Sequence, residues 1–171
     1  MSASALTYLS AGAALATLQF CLVFLLEANL SSAWTSYAAV TVSWLCGSIL
    51  ALLAPAPLPR FRLASGAGAS YYLCLAMLQN HPFQDPVLYI GAITAALCGA
   101  YAGAFFRAAF AASGDVSRLF AWENDGFVLG LLFCFWGLYT HSTILLWTAP
   151  ALALAVHAIA VRAWNEERDS T

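Results

Sequence analysis

LTYLSAGAALATLQFCLVFLL, residues 6–26, holds no Asp, Glu, Lys, Arg or His. A helix over this stretch, at 1.5 Å per residue, is about 30 Å long, which is the thickness of a bilayer's hydrocarbon core. The remainder of the chain has the same character. Of its 171 residues, 63% are hydrophobic and only 8% are charged, where a soluble domain carries about a quarter charged residues. Too few polar groups exist to cover a water-facing surface, so the sequence predicts an all-α integral membrane protein.

Five further segments read as spans: about 34–53, 63–78, 87–111, 117–139 and 142–164. The second stops at Pro55, Pro57 and Pro59, and the third, the shortest, ends at the turn Asn80-His81-Pro82-Phe83-Gln84-Asp85-Pro86. Ser113-Gly114-Asp115 separates the fourth from the fifth, and Pro150 is expected to kink the sixth. Strands are excluded because the apolar runs are long and do not alternate. The expectation is a six-transmembrane-helix bundle forming one domain over 1–171.

Arginine placement orients it. With six spans, Arg60, Arg62, Arg107, Arg118, Arg162 and Arg168 all fall on one side, and Lys is absent. Basic residues concentrate on the cytoplasmic side, so both the N- and C-termini are expected there. No basic residue precedes Arg60, so the first segment is read as a retained helix and not a signal peptide. Ala- and Arg-rich, Lys-free usage points to a GC-rich bacterium and its cytoplasmic membrane. A net charge of −2 and scattered Arg give no nucleic-acid footprint. Cys21, Cys46, Cys74, Cys98 and Cys134 stand singly in apolar stretches and form no Cys-x-x-Cys pair, so they read as small packing residues.

Lipid tails are as apolar as Leu, so helices in a bilayer associate through close packing, which small residues allow. Such residues recur in steps of four: Ala39, Ser43, Gly47 and Ala51; then Gly66, Ser70 and Cys74; then Gly91, Ala95, Gly99 and Gly103; then Gly126, Gly130 and Cys134, with Gly137 three further on. Steps of four keep each set on one helix face. The two glycine stripes, Gly91–Gly103 and Gly126–Gly137, are expected to bring the fourth and fifth spans together.

Few polar residues lie at membrane depth. Arg107 and Glu123 are equally far from the turn at Asp115, which predicts an ion pair, with Asp125 the alternative partner. Arg107, Glu123, Asn124 and Asp125 thus form a possible intramembrane polar cluster, read either as a proton or substrate site or as a structural clamp. His157 lies within the sixth span without a second His on a neighbouring turn, so neither haem nor a metal is expected. Trp34, Trp122, Trp147 and Trp164 stand near span ends, as an aromatic belt requires. No Gly-x-Ser-x-Gly, phosphate loop, His-Glu-x-x-His or dinucleotide turn occurs, so the protein is not expected to be an enzyme.

Two stretches carry a family resemblance. Glu27-Ala28-Asn29-Leu30 with Trp44-Leu45-Cys46-Gly47-Ser48, and Gly114-Asp115-Val116-Ser117-Arg118-Leu119-Phe120 with Asn124, Gly126 and Gly130, are similar to the membrane module of bacterial spermidine-synthase-like membrane proteins. Asn124 and Gly126 stand one residue closer together than that module's pattern. The family carries a soluble aminopropyltransferase-like domain after its helices. Here the resemblance implies the membrane module alone, which would not make polyamines by itself. Pro59-Arg60-Phe61-Arg62 is also similar to the basic cytoplasmic loop of major-facilitator transporters. Three functions are therefore expected, in this order: a non-catalytic membrane subunit docking onto other membrane proteins or onto itself, a small oligomeric transporter or channel, and a membrane anchor for a separate transferase.

Overall fold

The computed structural model describes residues 2–30 and 33–169. Apolar runs give helices, and the breaks fall where Pro, Gly or a capping side chain interrupts them. The elements are α1 (Ala3–Asn29), α2 (Ala33–Leu53), α3 (Arg60–Asn80), α4 (Asp85–Ser113) and α5 (Val116–Asp169). Among the described residues there is no strand. α2 ends ahead of Pro55, and Pro59 stands at the N-cap of α3 with φ −72° and ψ 95°. The turn before α4 is fixed by Phe83, which takes φ 63° and donates its N–H to the Asn29 carbonyl at 3.0 Å. Gly114 supplies a φ of 67°, which costs least without a Cβ. Asp115 then caps α5 by accepting the Arg118 backbone N–H at 3.0 Å.

Five helical elements stand where six segments were expected. α5 runs through both of the last two segments, and the residue inside it that leaves helical geometry is His141, with φ −150° and ψ 64°. Thr140 prepares the break: its hydroxyl donates to the carbonyls of Trp136 and Gly137 at 3.0 and 3.4 Å. Past the break the chain comes back against itself, since a Cβ on Gly137 would lie 2.6 Å from Leu145 Cδ1. Pro150, where the kink was expected, lies within the helix.

Four helices, Ala3–Asn29, Trp34–Leu53, Pro86–Ala112 and Val116–Arg168, are long and apolar enough to cross a membrane. The expected third span is not among them. α3 carries Arg60 and Arg62 in its first turn, Ser65, Gly66, Gly68, Ser70, Tyr71 and Tyr72 through its middle, and Gln79-Asn80 at its end, which dilute its apolar surface. Large apolar side chains are exposed on the candidate spans, such as Leu50 (71%), Trp136 (71%) and Ile159 (70%). Acyl chains are the solvent that suits such surfaces.

The chain forms two compact units. One is α1 up to Thr17 together with the chain from Ala112 onward; the other is Leu18–Ala111. Within the first, Gly12 of α1 sits against the Glu123 carbonyl of α5, Gly126 against the Leu9 carbonyl, and Gly130 against Ala13 and Ala16. From Leu9–Gly126 to Ala13–Gly130 the residue numbers rise together, so α1 and the part of α5 before His141 run parallel. The part after His141 runs antiparallel to α1, because Thr7 reaches Ala160 and Ser10 reaches His157.

Within the second unit, Gly47 of α2 sits against the Ala96 carbonyl of α4, Gly99 against the Trp44 carbonyl, and Gly103 against the Ser48 carbonyl. α2 and α4 are therefore parallel neighbours, and Ser48 Oγ adds a 3.0 Å hydrogen bond to the Gly99 carbonyl. α3 joins through Ser70, whose carbonyl accepts from Thr94 at 3.3 Å. Gly91 faces the Leu26 side chain of α1.

The glycine stripes thus mark close approach, but the expected pairing of one stripe with the other is corrected. The stripe of α4 receives α2, with Leu26 at its start, and the stripe of α5 receives α1. Helix periodicity fixes which face is flat without fixing which helix lies on it.

Gly99→Ala and Gly126→Ala should each lower stability by on the order of 3 kcal/mol, because the added Cβ meets backbone and not a movable side chain. Gly66→Ala, with nothing within 4 Å, should be neutral or stabilising by up to about 1 kcal/mol. Thermal unfolding in mild detergent separates the two outcomes.

Candidate functional site

A helix turns about 100° per residue, and that rotation decides what the polar segment of α5 can do. Glu123 points inward and is 6% exposed, while Asn124 and Asp125 are exposed. Glu123 sits in the contact with α1, where its carbonyl meets Gly12. Its carboxylate makes no hydrogen bond or ion pair with a described residue.

Arg107 is half-buried near the end of α4. Its Nη1 donates to the carbonyls of Ala54 and Ala56, the latter at 3.4 Å. A helix C-terminus carries partial negative charge and unpaired carbonyls, so Arg107 serves as a cap on the end of α2. The four residues expected as one polar cluster therefore take separate roles: Arg107 on α2's end, Glu123 inward, Asn124 and Asp125 outward. Equal distance from a turn sets depth along the axis but leaves the direction around it open, and here the carbonyls of Ala54 and Ala56 supply what Arg107 needs.

The buried polar assembly of the first unit centres on residues that the sequence reading did not join. His157 is 3% exposed, and its Nδ1 lies 3.0 Å from Ser10 Oγ. Ser10 Oγ also donates to the Thr7 carbonyl at 3.0 Å. Ser10 and His157 share the Oγ–Nδ1 hydrogen bond, its donor set by the imidazole tautomer. Thr7 Oγ1 bonds the carbonyls of Ala3 at 2.9 Å and Ala160 at 3.0 Å. This polar step ties α1 to the part of α5 after His141. Thr7 and Ser10, three apart on an apolar helix, were the available signal, since that spacing puts both on one face.

Among the described residues of this unit, Glu123 and His157 are the buried carboxylate and imidazole. Each is carried by a different part of α5, and each meets α1. Among the described residues no group of three His, Cys, Asp or Glu side chains is placed to hold a metal ion. Comparison with known protein families, curated proteins and solved structures finds no match.

Ser10→Ala and His157→Phe should each destabilise the protein, and a double-mutant cycle should return a coupling on the order of 1 kcal/mol, as for interhelical hydrogen bonds in membranes. Unfolding in detergent measures it; additive effects would mean that the Ser10–His157 bond contributes nothing.

Proposed function

We propose that the chain is a six-span protein of the bacterial cytoplasmic membrane, with both ends cytoplasmic, acting as a non-catalytic subunit of a larger membrane assembly. The crossing count is supported by the length of the last candidate span. Its 53 residues would reach about 80 Å as one straight helix, against a core of about 30 Å, and it breaks at His141. α3 supplies the remaining crossing, less apolar than its neighbours. Six crossings put all six Arg on one face, as the positive-inside rule requires.

The observation that carries the subunit role is exposed Asp125 beside exposed Asn124. Asp125 lies about 13 Å along α5 from Val116, inside the candidate span Val116–Arg168. A carboxylate at such depth is costly against acyl chains and is usually covered by protein or water. A partner helix bearing a hydrogen-bond donor or cation would cover it. A second reading, a small transporter, is favoured by Glu123, which is buried without a bond to a described residue.

Topology is tested by single cysteines in a Cys-free background. Gln84→Cys should label from outside intact cells, while Arg62→Cys and Glu167→Cys should label only after permeabilisation. Arg62 and Glu167 reacting from opposite faces would overturn the six-span arrangement.

A photocrosslinking residue at position 125 should yield an adduct heavier than the chain in native membranes, and Asp125→Leu should change what co-purifies after mild solubilisation. A lone monomer without adducts would end the subunit reading. For the transporter reading, Glu123→Gln should abolish solute flux in proteoliposomes, and unchanged flux would remove its basis.

A further inference from the structure

The face of α5 that packs on α1 fixes what the opposite face presents. Leu119, Glu123, Gly126 and Gly130 are buried, and the last three meet α1 backbone. At 100° per residue, a position two places earlier points about 160° away. Those positions are Ser117, Ala121, Asn124 and Val128, and all four are exposed. Leu131 and Phe135 continue the same alternation of four and three. Such a spacing averages 3.5 residues, the repeat of a seam between two supercoiled helices.

One member of this seam is polar at span depth. Asn124 lies on it and Asp125 flanks it, both within the candidate span Val116–Arg168. Neither side chain makes a hydrogen bond or ion pair with a described residue, and acyl chains offer neither donor nor acceptor.

We propose that this seam packs against the same seam of a second copy of the chain, about a two-fold axis along the membrane normal. The inference rests on the subunit reading and identifies its partner. Insertion gives every copy one orientation, so the two helices meet parallel, and an isologous contact sets position 124 opposite position 124. A carboxamide carries two donor hydrogens and an acceptor oxygen. Two facing Asn124 side chains therefore satisfy each other, and the second hydrogen of each is left for the other copy's Asp125. A carboxylate on the seam would meet its own charge, which is why the flank suits Asp125 and the seam suits Asn124. Ser117 and Ala121 are small and allow the close approach that so short a side chain requires. A single Asn on such a seam also sets register, because any slip leaves both amides unpaired. The donor that must cover Asp125 is thus supplied by the chain itself.

Oxidation of single cysteines in native membranes tests the geometry, in an otherwise Cys-free chain. Val128 and Phe133 are 54% and 55% exposed but point about 140° apart. Val128→Cys should give a disulfide-linked species of twice the chain mass, since a two-fold seam brings paired Cα atoms within the reach of about 7 Å that a disulfide needs. Phe133→Cys should not. Asn124→Leu, at an exposed position that leaves the contact with α1 intact, should weaken self-association about tenfold in sedimentation equilibrium, the loss expected for two interhelical hydrogen bonds. Asn124→Gln should recover most of it. Equal crosslinking at 128 and 133, or undiminished association of Asn124→Leu, would overturn the proposal. The photocrosslink at position 125 separates it from the reading beneath it. Adducts of twice the chain mass support both, adducts with foreign chains alone sink self-pairing and keep the subunit role, and a lone monomer ends both.

Discussion

Backbone against backbone at glycine is the contact on which the packing depends. In water, helices associate by removing apolar surface from solvent; in a bilayer that gain is absent, and close van der Waals contact must replace it. Both units reach it in the same way, with two parallel helices offering glycines to each other's carbonyls: Gly12 with Gly126, and Gly47 with Gly99. Only at such separation can a side chain as short as Ser48 reach a carbonyl on the facing helix, as it does to Gly99 at 3.0 Å. The hydrogen bonds are thus secondary to the close approach that glycine permits, and Cα–H···O contacts across the same seam add to it.

How much of this was legible follows from what helix periodicity encodes. Steps of four reveal a flat face, and Gly99, Gly103, Gly126 and Gly130 do lie at close contacts. The partner is a property of chain routing, which periodicity does not contain. Turn chemistry was legible where it is local: prolines at the end of α2, Gly114, and the break at His141. α3 was read as a span from its length and apolar content, and its small and hydroxylated residues leave it outside the four helices apolar enough to be candidates.

The candidate site was less legible, for a geometric reason. Distance from a turn gives depth, so Arg107 and Glu123 looked like partners, but the direction around each helix separates their tasks. Neighbours such as Glu123 and Asp125, two residues apart on one helix, point to different surroundings for the same reason. The Ser10–His157 bond joins residues 147 positions apart, and no local pattern announces such a pair. Only the polar face of α1, Thr7 with Ser10, hinted that something polar would lie opposite.

Polar groups in the spans divide by whether the fold itself answers them. Thr17, Ser48, Thr140 and Thr148 return their hydroxyls to the carbonyl four residues back, which suits hydroxyls in helices without a ligand. Arg107 is answered by the carbonyls at the end of α2, and His157 by Ser10. Glu123 and the Tyr8 hydroxyl receive no such answer from the described residues, and Asp125 faces outward. All three belong to the unit built from the first part of α1 and α5. The Ser36 and Thr41 hydroxyls of the other unit are likewise buried without a hydrogen-bond partner among the described residues. Open buried hydroxyls thus occur in both units, while the buried carboxylate, Glu123, lies in the unit built from the first part of α1 and α5.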